Sequence, residues 1–260
     1  MNHVDIAIVG GGFSAATTLI NLVRQIDKPK TIAIIGRANG LGHGIAYSTP
    51  EDVHRLNVPA GRMSLFADEP DDLCRWLSAR GEASGAEDFI PRKLFGAYVN
   101  DRLQTQLRKT DNHAHVTLQD AEAIDCEELQ ADRQIFHLSN GNRVAAKSSV
   151  LCLGGTPAGL PLPEARIAPE ARRYICVNVW ADRWIDRADP DDTVFMVGSG
   201  LTMIDQVMSL RQRGHRGKIH ILSRHGLVPL PHQVPRSDAG EPASVIGAVL
   251  DAVAAREAGR

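Results

Sequence analysis

Residues 4–15 read VDIAIVGGGFSA and contain the signal that decides the fold. Residues 4–9 form a short apolar run, and residues 10–12 are consecutive glycines. A helical pattern of apolar residues follows over residues 14–25, and residues 31–35, TIAII, form a second apolar run. Strand, glycine turn, helix and strand in this order predict a right-handed βαβ unit whose parallel strands are buried on both faces.

The spacing within the glycine turn, Gly10-x-Gly12-x-x-Ala15, is that of a dinucleotide-binding turn. The first glycine makes the tight turn, the second lets backbone amides approach a diphosphate, and the small third residue lets the helix pack closely on the strand. The phosphates would then lie at the positive end of the helix. Glycine turns also occur for structural reasons alone, but the strand and helix around this one favour a nucleotide site.

A second unit of the same kind is predicted near the C-terminus. A strand over residues 194–197 is followed by Gly198-x-Gly200-x-x-Met203, a helix over residues 202–211 and a strand over residues 218–222. Met203 replaces the small third residue, so the pattern by itself is weaker than the first one. The alternative is a structural strand–helix turn.

The residues after the second strand of each unit are expected to contact the adenosine ribose. An acidic residue there would accept a hydrogen bond from a ribose hydroxyl, and a basic residue would bind a 2′-phosphate. Ser223-Arg224 follows the strand of the second unit and favours NADPH over NADH, with a solvated arginine as the alternative. In the first unit Gly36-Arg37 stands where an acid is expected. Arg37 therefore contacts adenine or phosphate, or the ribose site is degraded.

Between and after these units the pattern predicts further elements. Residues 36–63 are loop-like, Asn140-Gly141 marks a hairpin, and the proline-bearing residues 157–170 form a connector. The predicted helices cover residues 71–77, 92–107 and 243–256, and the predicted strands cover residues 116–118, 123–125, 134–138, 143–146 and 149–153, the last of them buried.

Composition excludes several classes of protein. The 260 residues are 43% hydrophobic and 23% charged with a formal net charge of −2, which is ordinary for a globular protein and gives no global field for binding nucleic acid or an anionic membrane. The 4 cysteines lack metal-ligand spacing and are expected to be reduced, mostly buried thiols, so no metal is predicted. Neither a membrane-spanning run nor a signal peptide is seen, which predicts a cytoplasmic protein.

Several longer motifs resemble one family of proteins. The chain resembles the two-dinucleotide flavoproteins, and in particular the FAD/NAD(P)-binding proteins related to lysine/ornithine N-hydroxylases and other flavin monooxygenases. The motifs that carry the resemblance are IAIVGGGFSA, GHGIAYST, HRLNVPAGRMSLFAD, PRKLFGAYVNDRL, LCLGGTP, VFMVGSGLTMIDQVMSL and ILSRHGLVPLPH. GHGIAYST together with HRLNVPAGRMS is far more specific than either glycine turn.

The resemblance implies an α/β fold with two nucleotide-binding domains. A Rossmann-like FAD-binding domain with a β-meander would cover residues 1–157, a connector residues 158–190, and a second, incomplete Rossmann-like NAD(P)-binding unit residues 191–260. No return to the first domain follows the second unit, so the chain is expected to be a short member, a truncated protein or one completed by a partner, and a homo-oligomer is one way to complete it.

The resemblance also implies which residues hold the cofactors FAD and NADPH. The residues placed at the FAD pyrophosphate are Gly10, Gly12, Phe13, Ser14 and Ala15, and those at the flavin end are His54, Leu56, Asn57, Val58, Arg62 and Met63. The backbone at Ala123 would meet the adenine, and Gly154 and Thr156 would close over FAD where the two domains join. The residues placed at NADPH are Gly198, Gly200, Leu201, Thr202, Ser223 and Arg224.

Two of these residues are predicted to be catalytic. Asn57 would donate a hydrogen bond to a flavin carbonyl, and Arg62 would stabilise negative charge on the flavin ring, with Met63 as an apolar contact. The alternative for Arg62 is a structural salt bridge, and the alternative for His54 is a histidine satisfied by the protein or exposed to solvent.

These features predict an FAD-dependent NAD(P)H oxidoreductase of the monooxygenase type, in which hydride passes from NADPH to FAD. The small-molecule substrate is not identified by any motif. The alternatives are a catalytically inactive or truncated nucleotide-binding module and an NADP-dependent enzyme without flavin. The basic stretch of residues 211–218 lacks aromatic residues, so no nucleic-acid partner is predicted, and no membrane partner is predicted either.

Overall fold

The computed structural model divides the chain into two compact units, Met1–Trp180 and Ala181–Arg260. The predicted connector lies partly outside the described residues, and the predicted helix over residues 243–256 lies entirely outside them. The described residues are 1–109, 113–130, 133–155, 159–160, 163, 166–180 and 183–231.

A six-stranded sheet is the centre of the first unit, with strand order β3-β2-β1-β6-β5-β4. β1, β2, β3 and β6 run parallel to one another, whereas β4 and β5 form an antiparallel meander with the first half of β6. The strands are β1 (Asn2–Val9), β2 (Lys30–Ile35), β3 (Ala114–Gln119), β4 (Ala123–Gln130), β5 (Arg133–Leu138) and β6 (Arg143–Leu151).

Helices cover one face of this sheet. They are α1 (Phe13–Gln25), the single turn α2 (Gly44–Tyr47), α3 (Asp72–Ala79) and α4 (Arg92–Leu107). Alternate residues of a strand point to opposite faces, so Ile8 and Ile34 pack under the helices while Val9 and Ile35 enter a second core with residues of the meander. The predicted βαβ unit and the α/β fold class are confirmed.

The hairpin between β5 and β6 is also confirmed. Gly141 has a φ of +82°, and the Leu138 amide donates to the Asn142 carbonyl at 2.9 Å. The structure describes one continuous strand, Arg143–Leu151, where two separate strands were predicted.

The prediction of a buried strand over residues 149–153 is wrong. β5 pairs only with residues 143–146 of β6, and no described strand lies along the remaining outer edge. Leu151 is therefore 61% exposed and Leu153, beyond the strand, 70% exposed. The expectation of mostly buried cysteines is wrong as well, because Cys126 is exposed and the other three free thiols are only partly buried.

The second unit contains a small βαβ unit at the predicted place. β7 (Val194–Val197) and β8 (Ile219–Leu222) are parallel, and α5 (Leu201–Gln212) connects them. Met203, Ile204 and Val207 of α5 form its apolar core against one face of the strands. Among the helices that the structure describes, none is long and apolar enough to cross a membrane.

Candidate functional site

The first glycine turn is wedged between the ends of two strands. Gly10 has a φ of +128°, and a Cβ atom on it would lie 2.1 Å from the Cys152 carbonyl oxygen. The Gly10 amide donates to the Ile35 carbonyl at 2.8 Å, and the Cys152 amide donates to the Val9 carbonyl at 2.7 Å. Both the conformation and the close approach require glycine at position 10, as the sequence predicts.

No side chain caps the N-terminus of α1. Gly12 is its extended N-cap residue, without a side-chain hydrogen bond, and the Ala16 amide donates to the Gly12 carbonyl at 3.1 Å. The amides before Ala16 are therefore the orphan donors of a helix N-terminus, and the first turn contains no acidic residue. Ser14 is exposed and Ala15 is fully buried against the sheet. This arrangement suits a bound anion such as a diphosphate.

A loop with further glycines lies across this turn. The Gly42 amide donates to the Gly11 carbonyl at 3.1 Å, and a Cβ atom on Gly12 would lie 3.4 Å from the Gly44 Cα. The nearest neighbours of the glycines at positions 10–12 are backbone atoms, apart from the Cβ of Cys152. The Cβ positions of these glycines therefore border mainly on backbone and are not filled by bulky side chains.

The two motifs GHGIAYST and PRKLFGAYVNDRL meet beside this turn. Gly96 of α4 allows the contact, because a Cβ atom there would lie 2.5 Å from the His43 Cδ2 and 2.8 Å from the Tyr47 carbonyl oxygen. The Tyr47 ring packs on Phe95 at 4.8 Å and on Phe13 at 5.1 Å between centroids. Burial raises the pKa of Tyr47. Phe13 thus anchors α1 with its ring, and its backbone amide belongs to the first turn of the helix, where the phosphate site is predicted.

The loop over residues 54–63 turns apolar groups inward and polar groups outward. Leu56 is 5% exposed and Met63 packs against the same core, whereas Asn57 and Arg62 are both exposed. Val58 is partly buried. None of the described acidic residues forms an ion pair with Arg62, so the alternative of a structural salt bridge is not observed there.

His54 is the satisfied histidine that the alternative interpretation expected. It is 3% exposed, and its Nδ1 lies 2.6 Å from the Thr49 Oγ1. Its ring meets Trp180 edge-on at 5.5 Å, and the Arg92 amide donates to its carbonyl at 2.8 Å. The imidazole therefore packs inside the protein and holds the start of the 54–63 loop.

On the adenine side of the predicted site, Arg37 and the start of β4 come together. The Arg37 Nε donates to the Glu122 Oε1 at 2.9 Å, and its Nη2 lies 2.8 Å from the same oxygen. Ala123, predicted to meet adenine through its backbone, is the next residue and begins β4. Gly154, with a φ of +73°, is exposed just after β6, and Thr156 lies outside the described residues. Glu122 has no short-range sequence signal, since its partner is 85 residues away.

The glycine turn of the second unit has the same backbone plan. Gly198 has a φ of +105° and donates its amide to the Leu222 carbonyl at 2.8 Å, while Gly200 is the extended N-cap of α5. No described atom lies within 4 Å of a Cβ atom built on either glycine, so this turn is open. The remaining predicted residues line the same end of the unit: Leu201, Thr202 and Arg224 are exposed and Ser223 is partly buried.

Comparison with known proteins places this chain among flavin-linked nucleotide-binding folds. A family model described as FAD-NAD(P)-binding matches residues 7–156. A search of curated proteins gave no match.

Solved structures share the fold at low sequence identity. An ornithine N-hydroxylase from Kutzneria sp. 744, with reduced FAD, NADP+ and L-ornithine, has a TM-score of 0.60 and 16% identity over 85% of this chain and 53% of its own. A flavin-containing monooxygenase from Stenotrophomonas maltophilia has a TM-score of 0.52 and 13% identity over 86% of this chain and 59% of its own. A steroid monooxygenase bound to NADP has a TM-score of 0.55 and 15% identity over 85% of this chain and 38% of its own. This chain therefore spans well under two thirds of each.

Proposed function

The chain belongs to the FAD-NAD(P)-binding family, and on that premise we propose that it is a flavin-dependent oxidoreductase of the monooxygenase type that uses NADPH. The observation that carries the proposal is the first glycine turn, an anion cradle made of backbone at the N-terminus of α1. Its position at the carboxyl ends of parallel strands is where α/β proteins bind nucleotides.

FAD is the ligand proposed for the first turn. Gly10 and Gly12 keep the backbone close, and the amides of Phe13, Ser14 and Ala15 would bind the diphosphate. The fit is supported by the backbone-lined turn and by the absence of an acid in the first turn of α1. When bound, FAD supplies the electron-accepting ring, and the protein supplies binding, orientation and charge.

The loop over residues 54–63 is proposed to face the flavin end. His54 and Leu56 are buried and anchor the loop to the protein interior. Met63 packs on the core and would offer the flavin ring an apolar contact. Asn57 and Arg62 remain exposed, and we assign them as the amide donor and the cation toward the ring. Because no described carboxylate pairs with Arg62, its guanidinium would be available to stabilise negative charge on the flavin ring.

NADPH is the ligand proposed for the second turn. Gly198 and Gly200 would admit its diphosphate at the N-terminus of α5, with Leu201 and Thr202 in the first turn. Ser223 and Arg224 follow β8, where a hydroxyl and a guanidinium suit a 2′-phosphate. Reduction of the flavin under anaerobic conditions should therefore be faster with NADPH than with NADH.

The experiment is to load the purified chain with FAD and mix it anaerobically with NADPH. Bleaching of the visible flavin absorbance is expected, because hydride transfer reduces the ring. The variant R224Q should slow bleaching by NADPH more than bleaching by NADH. The charge-matched control is R216Q, which removes an exposed arginine before the opposite end of β8. FAD binding without any bleaching would contradict the oxidoreductase function.

The second candidate is a nucleotide-binding module without catalysis. It is favoured by the description of the matching family, FAD-NAD(P)-binding, which names binding and no reaction. This module would bind FAD and NADPH separately and leave the flavin oxidised in the same mixing experiment. Anaerobic bleaching by NADPH excludes it.

A further inference from the structure

The position after β2 cannot carry the acid that usually reads the adenosine ribose. Gly36 is buried, and a Cβ atom on it would lie 2.6 Å from the Gly11 nitrogen and 2.8 Å from the Gly10 carbonyl carbon. These neighbours are backbone atoms of the glycine turn, which cannot move aside without disturbing the turn. Glycine at position 36 is thus a packing requirement, and the missing carboxylate must come from elsewhere.

A carboxylate from another part of the chain lies at this place. Arg37 directly follows Gly36, and its guanidinium contacts only one carboxylate oxygen of Glu122, through Nε at 2.9 Å and Nη2 at 2.8 Å. Within the described part of the chain, no donor reaches the other oxygen, Oε2. The Glu122 side chain is 58% exposed, so this oxygen is accessible to a ligand.

The backbone around Glu122 is fixed. Its amide donates to the Ser139 Oγ at 3.0 Å, and the Ser139 amide donates to its carbonyl at 2.8 Å. On the other side of the pair, the Ala38 amide donates to the Asp120 Oδ1 at 2.9 Å. Hydrogen bonds therefore fix the backbone next to both Arg37 and Glu122, although the two side chains are exposed.

The charges favour a ribose with free hydroxyls. Arg37 brings one positive charge, while Glu122 and Asp120 bring two negative charges, so the group is net negative. A 2′-phosphate would meet these carboxylates, whereas a hydroxyl can donate to one of them. The adenosine ribose of FAD carries free hydroxyls, which agrees with FAD rather than a 2′-phosphorylated dinucleotide in this turn.

We propose that Glu122, positioned by Arg37, accepts the adenosine 2′-hydroxyl of FAD and so replaces the acid that position 36 excludes. This inference rests on the proposed FAD site. Glu122 would be the specificity-determining residue, and Arg37 a positioning residue that acts through it.

The test measures binding of two ligands to the apo chain by flavin fluorescence: FAD and the FAD analogue whose adenosine lacks the 2′-hydroxyl. The wild type should prefer FAD about 10- to 100-fold, as expected for a hydrogen bond to a charged group. The variant E122Q should lose most of this preference, and R37A should lose part of it while R37K keeps it. The matched control is E128Q, which removes an exposed carboxylate from β4.

The outcomes separate the two proposals. A wild type that binds neither ligand would overturn the FAD site and this inference together. A wild type that binds both ligands equally, or an E122Q protein that keeps the full preference, would overturn the role of Glu122 and leave the FAD site intact.

Discussion

Gly36 lies directly against Gly11, with only 2.6 Å between the Gly11 nitrogen and the place where a Cβ atom on Gly36 would be. The end of β2 and the glycine turn after β1 therefore pack backbone against backbone. The Gly36 amide also donates to the Gln119 carbonyl at 3.1 Å, which fixes this point to the end of β3. The shape of the candidate nucleotide site depends on this contact.

The substitution G36A should destabilise the protein by about 1–3 kcal/mol, the usual range for an overpacked buried position. The three atoms nearest to the added methyl group are all backbone atoms of Gly10 and Gly11, so no side-chain movement can relieve the overlap. Urea unfolding would measure the loss. The control is G40A, where no described atom beyond the adjacent residues lies within 4 Å of the added carbon. Equal stabilities of G36A and G40A would contradict the packing described here.

The contact between Gly96 and the GHGIAYST motif gives a second prediction. Here the expected effect of a glycine-to-alanine change has the opposite sign to its usual effect in a helix. In an exposed helix, replacing glycine by alanine stabilises by about 1 kcal/mol. In α4 the new carbon would lie 2.5 Å from the His43 Cδ2 and 2.8 Å from the Tyr47 carbonyl oxygen, so G96A should instead destabilise the protein. Thermal unfolding would compare it with G85A, whose nearest atom is the Asp88 Oδ2 at 3.5 Å. A rise in Tm for G96A would disprove the close approach.

A buried carboxylate at the start of α3 predicts a pH dependence of stability. Asp72 is 5% exposed; it accepts from the Tyr98 hydroxyl at 2.8 Å and pairs with the Arg102 Nε at 2.7 Å. Burial acts to raise the pKa of Asp72, but the hydrogen bonds from Arg102 and Tyr98 outweigh it and hold the pKa below its ordinary value of 3.8. Burial raises the pKa of Tyr98 to about 12, so Tyr98 remains a donor.

Because the folded pKa of Asp72 is lowered, its ionised form stabilises the protein above the unfolded value and loses this effect as the pH falls through the folded value. The variant D72N should therefore lose about 2 kcal/mol at neutral pH, as expected for hydrogen bonds to a charged group. The difference from wild type should shrink below pH 3.8. Urea unfolding at several pH values measures this, with D71N, at an exposed neighbour, as the control. A difference that stays constant with pH would count against the ion pair.

Ser14 offers a test of the phosphate site that does not weaken the fold. A carboxylate in the first turn of a helix stabilises it by about 0.3–1 kcal/mol, so S14D should fold at least as well as wild type. The same charge would repel a bound diphosphate, so the affinity for FAD should fall at least about tenfold. S14N, which has nearly the same shape and no charge, is the matched control for the titration. Unchanged FAD affinity in S14D would argue against phosphates at this helix end.

The local elements could be predicted because their signals are short-range. The apolar run of residues 4–9, the glycines of the first turn and the helical spacing of α4 predict what the structure describes. The burial of residues 149–153 could not be predicted, because it depends on whether another strand pairs with the far edge of β6. The apolar composition of residues 149–153 does not indicate whether such a strand is present.

The site could be predicted only where backbone conformation decides it. Gly10 and Gly198 need a positive φ, which the motif spacing reveals. The Arg37–Glu122 pair joins residues 85 positions apart, so the sequence shows only an arginine where an acid is expected. The reason for that departure, the contact of Gly36 with Gly11, exists only in three dimensions.

The most direct test of the central claim is calorimetric titration of FAD into the purified apo chain, with S14D and S14N titrated in parallel. We predict a single saturable FAD site in the wild type and in S14N, and a much weaker one in S14D. A wild type that binds no FAD, or an S14D protein that binds FAD as strongly as the wild type, would contradict an FAD diphosphate at the N-terminus of α1.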